Sequence, residues 1–184
     1  MATILQTTRL RLRELTTADL DFVAAMLGDP EVMRYYPRCY DRSESAAWIE
    51  RQLVRYARDG HGLWLVEDRM TAAPLGQVGL IRQTVGGDEA TEIGYLIDRP
   101  QWRQGFATEA AAACRDHAFG ALGRDRVISL IRPENTPSQR VARKIGMRPE
   151  NRVVTHGIGG FDHLVFAIKR PRVAIRIESA GGMP

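Results

Sequence analysis

Apolar and polar residues alternate with period two from Thr8 to Glu14, where Leu10 and Leu12 stand among Arg9, Arg11 and Arg13, so the chain is predicted to open with a half-buried strand. The period then becomes helical. Thr16, Thr17 and Asp19 supply a capping hydroxyl and an acid for a first turn, and Leu20, Val23, Ala24 and Leu27 recur at helical spacing up to Gly28. A second helix is expected from near Ser43, with Ala46, Ile49, Leu53 and Tyr56 as its stripe and Asp59-Gly60 as its exit. Strand-like runs return at 63–66, 76–81 and 91–97, joined by turn-rich stretches in the manner of a meander.

Residues 98–105 read as a loop leading into an alanine-dense helix from about Ala107 to Phe119, stopped by Gly120 or Gly123. A compact apolar run, Val127 to Ile131, has the character of a buried strand; a short helix, Pro137 to Ile145, and a last strand, Leu164 to Ile168, follow. The predicted order is βααβββαβαβ, with one or two further strands near Val153. It defines an α+β fold with a mixed, mainly antiparallel sheet, in which the late strand-helix-strand supplies a parallel element. One domain over residues 1–170 is expected, with 171–184 as a partly mobile extension.

Composition narrows the function classes. With 44% hydrophobic and 26% charged residues in 184, the chain can bury a sizeable core. No run approaches the roughly 18 apolar residues of a membrane span, and the start shows no signal pattern, so a cytoplasmic setting is expected. Cys39 and Cys114 match no metal spacing, and no metal is expected. The net charge of +4 rests almost wholly on arginine, whose fixed fork suits phosphates and carboxylates. The arginines are scattered rather than striped, which disfavours a nucleic-acid binder.

Chemistry concentrates in two places. In Trp102-Arg103-Gln104-Gly105-Phe106-Ala107-Thr108-Glu109-Ala110 a glycine sits where a loop becomes a helix, so the unpaired N–H groups of Gly105, Phe106, Ala107 and Thr108 converge on one spot suited to an anion. The plainer reading is a helix start whose dipole Thr108 and Glu109 complement. In Asn135-Thr136-Pro137-Ser138-Gln139, Thr136 as N-cap, Pro137 at the first helical position and Gln139 closing a capping box explain the pattern structurally. Yet Asn135 and Ser138 also stand at a strand-to-helix junction of the kind that faces ligands.

Together with Glu92-Ile93-Gly94-Tyr95 and Lys144-Ile145-Gly146-Met147, these segments resemble the GNAT superfamily of acyl-CoA-dependent N-acyltransferases over about residues 5 to 170. The opening Thr8 to Arg13 and the Trp102-to-Ala110 form resemble the branch containing the Rim-type N-terminal acetyltransferases of ribosomal proteins. The resemblance implies helices on both faces of the sheet and an acetyl-CoA cleft where the strand of Glu92 to Ile97 splays from that of Val127 to Ile131. It further implies that backbone of Tyr95, Leu96 and Ile97 pairs with pantetheine, N–H groups from Gln104 to Thr108 cradle the pyrophosphate, Asn135 holds the pantetheine arm, and Arg103 and Arg140 contact phosphates. The superfamily's common form begins this loop with Gln or Arg, whereas this chain has Trp102, which is expected to pack.

Such a family transfers acetyl directly, in keeping with the lack of a convincing Cys-His or Ser-His pair here. Glu92 is the candidate general base and Ser138 the candidate partner of the departing thiolate, with His156 as a competing base of near-neutral intrinsic pKa. His61, His117 and His163 read as polar residues at element edges, Asp162 as a structural hydrogen-bonding acid, and Tyr35, Tyr36, Trp48 and Tyr56 as either acceptor pocket or core. The expected acceptor is a primary amine, a small molecule or a protein N-terminus. The alternatives are a non-catalytic acyl-CoA-binding module and a phosphate or nucleic-acid ligand; self-association as a homodimer is left open.

Overall fold

The computed structural model describes residues 2–156 and 160–171. Eight strands form one sheet: β1 (Thr3–Gln6), β2 (Leu10–Arg13), β3 (Leu63–Asp68), β4 (Pro74–Val85), β5 (Asp88–Ile97), β6 (Arg126–Ile131), β7 (Arg148–His156) and β8 (Phe161–Lys169). Four helices accompany them: α1 (Leu20–Gly28), α2 (Arg42–Asp59), α3 (Phe106–Gly120) and α4 (Thr136–Lys144). The strand order is β1-β2-β3-β4-β5-β6-β8-β7, antiparallel throughout except at β5 and β6. The α+β class and the mixed sheet agree with the sequence pattern.

Three local expectations are corrected. The opening strand is a hairpin, because the Thr7 amide donates to Leu10 O (2.9 Å) and Thr7 Oγ1 accepts the Leu10 amide (3.0 Å), folding Ile4 and Leu5 back onto β2. The first helix is preceded by a 3-10 turn, Thr17–Asp19, held by the Thr16 amide donating to Asp19 Oδ2 (2.8 Å). Asn135, not Thr136, caps α4: its Oδ1 accepts the Ser138 amide at 3.1 Å. Pro137 has no N–H, so the first amide able to meet a cap is that of Ser138, three residues after Asn135. Gln139 then closes no box but donates to Pro133 O (2.8 Å).

Helices cover both faces. Trp48 of α2 donates through Nε1 to Gln77 Oε1 (2.8 Å), while Tyr95 donates through its hydroxyl to Ser138 O in α4 (2.7 Å). Gln77 pairs with Leu96, the neighbour of Tyr95, so the two contacts lie on opposite sides of the sheet. Ala110, Ala111, Cys114 and Ala118 are fully buried, and their small volume lets α3 lie close on the strands. In the same core Leu10, Leu12, Leu80, Ile93 and Phe166 meet across the sheet.

Close backbone approach explains one glycine. A Cβ at Gly79 would lie 2.0 Å from Gly62 O and 2.8 Å from Leu63 Cα, both main-chain atoms that cannot move aside singly. Gly79→Ala is expected to cost about 3 kcal/mol or more, read as a lowered urea midpoint at unchanged slope. A midpoint equal to that of the parent chain would show that the β3–β4 approach is slack.

Candidate active site

The β5–β6 pairing holds a single registered pair, Glu92 with Ile128. Beyond it, side chains take the places of main-chain partners. Ser129 Oγ donates to Ile93 O (2.8 Å), and the Leu130 amide donates to the Glu92 carboxylate (3.3 Å) instead of continuing the ladder. From this fork the strands separate.

The alternation of strand pairing decides which groups face the gap. Leu80 bonds toward β3 through Gly62 O, and Asp98 bonds to Leu75 O, so odd-numbered residues of central β4 point their main chain at β5. Their partners Glu92, Gly94 and Leu96 point back. Ile93, Tyr95 and Ile97 therefore turn their amides and carbonyls toward β6 and the gap, as the Ser129–Ile93 bond requires. Of the expected pantetheine partners, Tyr95 and Ile97 present main chain there, while the main chain of Leu96 belongs to β4. Trp102 closes one of these groups, donating through Nε1 to Ile97 O (2.6 Å).

At the wide end of the gap the chain turns into α3. Arg103 (φ 63°) and Gly105 (φ 85°) both adopt left-handed conformations, which curl successive amides into a concave nest. Glu109 is the first residue to make a helical bond, to Gly105 O (3.0 Å). The N–H groups of Gln104, Gly105, Phe106, Ala107 and Thr108 have no acceptor among the described residues and share the positive end of a 15-residue helix. Arg103 and Arg140 are exposed and bridge to no carboxylate there. This is an anion cradle.

A tie to the first hairpin holds the cradle. Arg9 donates through Nε to Glu109 Oε2 (2.7 Å) and through a guanidinium nitrogen to Gln104 O (3.0 Å), and its charge lies 4.6 Å from the Phe106 ring centroid. The Arg9 amide and the Thr7 hydroxyl donate to Glu109 Oε1 at 3.0 and 2.6 Å. Partial burial pushes the Glu109 carboxyl up, but these hydrogen bonds outweigh it and hold the group below its ordinary value. The sequence showed Arg9 only as a polar position of a strand and Glu109 only as a dipole complement, because the contact spans about 100 residues of chain.

Around Glu92, which is 9% exposed, Gln83 Nε2 donates to the second carboxylate oxygen (2.6 Å). The Tyr36 hydroxyl is pushed up to about 12 by burial and then by the Glu92 charge. The Tyr56 hydroxyl donates to Leu63 O and accepts the Leu15 amide, a core role. Trp48 packs edge-on against Tyr40. On the other face Ser138 is fixed at both main-chain ends, by Asn135 and Tyr95, across the gap from β5.

The histidines divide. His61 is buried with Nδ1 against Leu80 O (2.9 Å), and His117 stands edge-on to Trp64. His163 Nδ1 meets Phe161 O, and Asp162 accepts from Thr155 Oγ1 (3.0 Å) in the same hairpin, the structural role expected for it. His156 ends β7, but its side chain lies outside the described residues, as does the extension from 172. Burial pushes the Cys114 thiol up and makes it inert. Among the described residues no cluster could hold a metal ion, and no helix is long and apolar enough to cross a membrane.

Residues 9–148 match the family model described as acetyltransferase (GNAT) domain. The chain belongs to the GNAT acetyltransferase family. It is 38% identical over 146 residues to the uncharacterized protein YkkB of Bacillus subtilis (strain 168), covering 79% of this chain and 85% of YkkB. To the uncharacterized N-acetyltransferase YoaA of the same organism it is 30% identical over 177 residues, 94% of this chain and 99% of YoaA. The acetyltransferase of Agrobacterium tumefaciens str. C58 superposes with a TM-score of 0.77 at 27% identity over 92% of this chain and 95% of that one. A Rim-type member shares the fold: Mycobacterium smegmatis RimJ, solved in complex with CoA-disulfide, gives a TM-score of 0.69 at 23% identity over 87% of this chain and 81% of that one.

The Glu109 carboxyl is held low in the folded state, so the tie is intact above the ordinary glutamate range and is lost as pH falls through the lower folded value. Glu109→Gln is expected to weaken the cradle's affinity for pyrophosphate about threefold to tenfold at neutral pH, by calorimetry. Parental affinity in the variant would make the tie irrelevant to the cradle.

Proposed function

We propose that this GNAT-family chain is an acetyl-CoA-dependent N-acetyltransferase that moves the acetyl group directly onto a primary amine. The observation that carries the reading is the fork at Glu92, because it leaves unpaired strand amides leading to a cradle of unpaired helix amides. The arrangement suits a ligand with an amide-bearing arm and a diphosphate, and the acidic group at the cradle, Glu109, is already paired with Arg9.

Acetyl-CoA supplies an acetyl group activated as a thioester. In this reading the amides from Gln104 to Thr108 bind the diphosphate, with Arg103 and Arg140 adding charge. Tyr95 and Ile97 align the arm through main chain, and Asn135, whose Oδ1 is spent on the cap, contributes its amide nitrogen. An amine nitrogen forms the new C–N bond as the C–S bond breaks; Glu92 takes the ammonium proton, directly or through water, and the Ser138 hydroxyl donates toward the departing sulfur. A protein α-amine, with a pKa near 8 against roughly 10.4 for lysine, asks little of the base. YoaA, named an N-acetyltransferase, and RimJ, solved with a CoA disulfide, support the donor and the reaction class.

The test is thiol release from acetyl-CoA with a panel of amines. Binding of CoA with no release on any amine would leave an acyl-CoA-binding module instead. Glu92→Gln is expected to lower kcat at least about 100-fold and to remove the acidic limb of the pH–rate profile; an unchanged limb would exclude Glu92 as the base. Ser138→Ala is expected to lower kcat about tenfold or more at nearly constant KM for acetyl-CoA, and a parental turnover number would remove the hydroxyl from the mechanism.

A further inference from the structure

Six arginines are half-buried among the described residues. Arg11, Arg13, Arg115, Arg126 and Arg132 each lie within 4 Å of a carboxylate. Arg55 does not. Its guanidinium donates to the neutral Gln52 Oε1 (3.1 Å), and Gln52 in turn accepts the Leu63 amide. Burial pushes Arg55 below its ordinary value, Arg51 and Arg58 push the same way, and the charges of Glu92 and Asp59 resist. A cation is thus kept in a half-buried place with no anion bonded to it.

Arg58, at the C-terminal end of the same helix, lines a cleft of about 560 Å³ together with Arg82, Gln83, Thr84 and Glu89. Arg58 stands one turn after Arg55 on α2, so both project on the same side of the helix. Gln83 joins the cleft to the site already described, since it both lines the cleft and donates to Glu92. Arg58 and Arg82 are committed to Asp59 and Glu89. Arg55, one turn before Arg58 on α2, has no carboxylate within 4 Å and can meet a new anion.

We propose that Arg55 binds a carboxylate or phosphate carried by the acceptor amine, which would enter by the Gln83 cleft with its ammonium toward Glu92 and its anion toward α2. This rests on the acetyl-transfer reading and narrows it to acceptors bearing both charges a few bonds apart. Arginine suits the task because its planar fork meets either oxyanion with two donors.

The experiment uses two matched pairs, phenylalanine with phenethylamine and phosphoethanolamine with ethanolamine. Each is titrated calorimetrically into the CoA-loaded full chain and assayed for thiol release from acetyl-CoA. The acidic member of at least one pair is expected to be favoured about tenfold or more in affinity and in kcat/KM, and which pair shows it separates carboxylate from phosphate. Arg55→Gln is expected to bring that ratio close to one, whereas Arg55→Lys, keeping charge but not the fork, retains part of it. A parental ratio near one, no binding of either acidic amine, or an undiminished ratio in Arg55→Gln overturns the inference. Thiol release without charge preference sinks this inference alone; anion preference in binding without thiol release sinks acetyl transfer and keeps the Arg55 site.

Discussion

The molecule's chemistry depends on a parallel strand pair that stops early. After the Glu92–Ile128 pair, a serine hydroxyl satisfies Ile93 O and a glutamate carboxylate satisfies the Leu130 amide. Buried main-chain groups must find partners, and here side chains provide them at the one place where the strands must part. The strand beyond the fork keeps its Tyr95 and Ile97 amides turned toward the gap. A sheet that paired fully would be sealed, without a slot for an extended ligand.

The second constraint is the entrance to α3. Two left-handed residues and a helix start aim a run of amides at one point, and the first hairpin pins that arrangement through Arg9 and Thr7 on Glu109. The carboxylate would otherwise compete for the cradle's positive field; tied to an arginine, it does not. Glu92 shows the same economy, since the carboxylate that meets the Leu130 amide where the pairing ends is also the candidate base, held on its other oxygen by Gln83.

Particular elements show how much could be read in advance. The alanine-dense helix and its glycine turn were legible because both follow from local rules: small residues pack closely, and a positive φ at a helix start asks for glycine. The β3 to β5 meander was legible from period and turns. The first hairpin was not, since Thr7 has no glycine or proline to mark its turn. The cap of α4 was misplaced by one residue because Thr136 followed by Pro137 also reads as an N-cap before a proline at the first helical position, and both candidates can reach the Ser138 amide that Asn135 takes. Arg9, Gln83 and Arg55 gave no local signal.

The order of amino acids determined the classes of element, the α+β layering, the glycine at the α3 turn and the family, because each rests on short-range periodicity or on motifs read within a few residues. Tertiary structure decided where the β5–β6 pairing ends, which strand amides face the gap, and which charges are paired. Those outcomes turn on contacts between residues from about ten to a hundred positions apart, whose energies depend on burial and distance that no local pattern encodes.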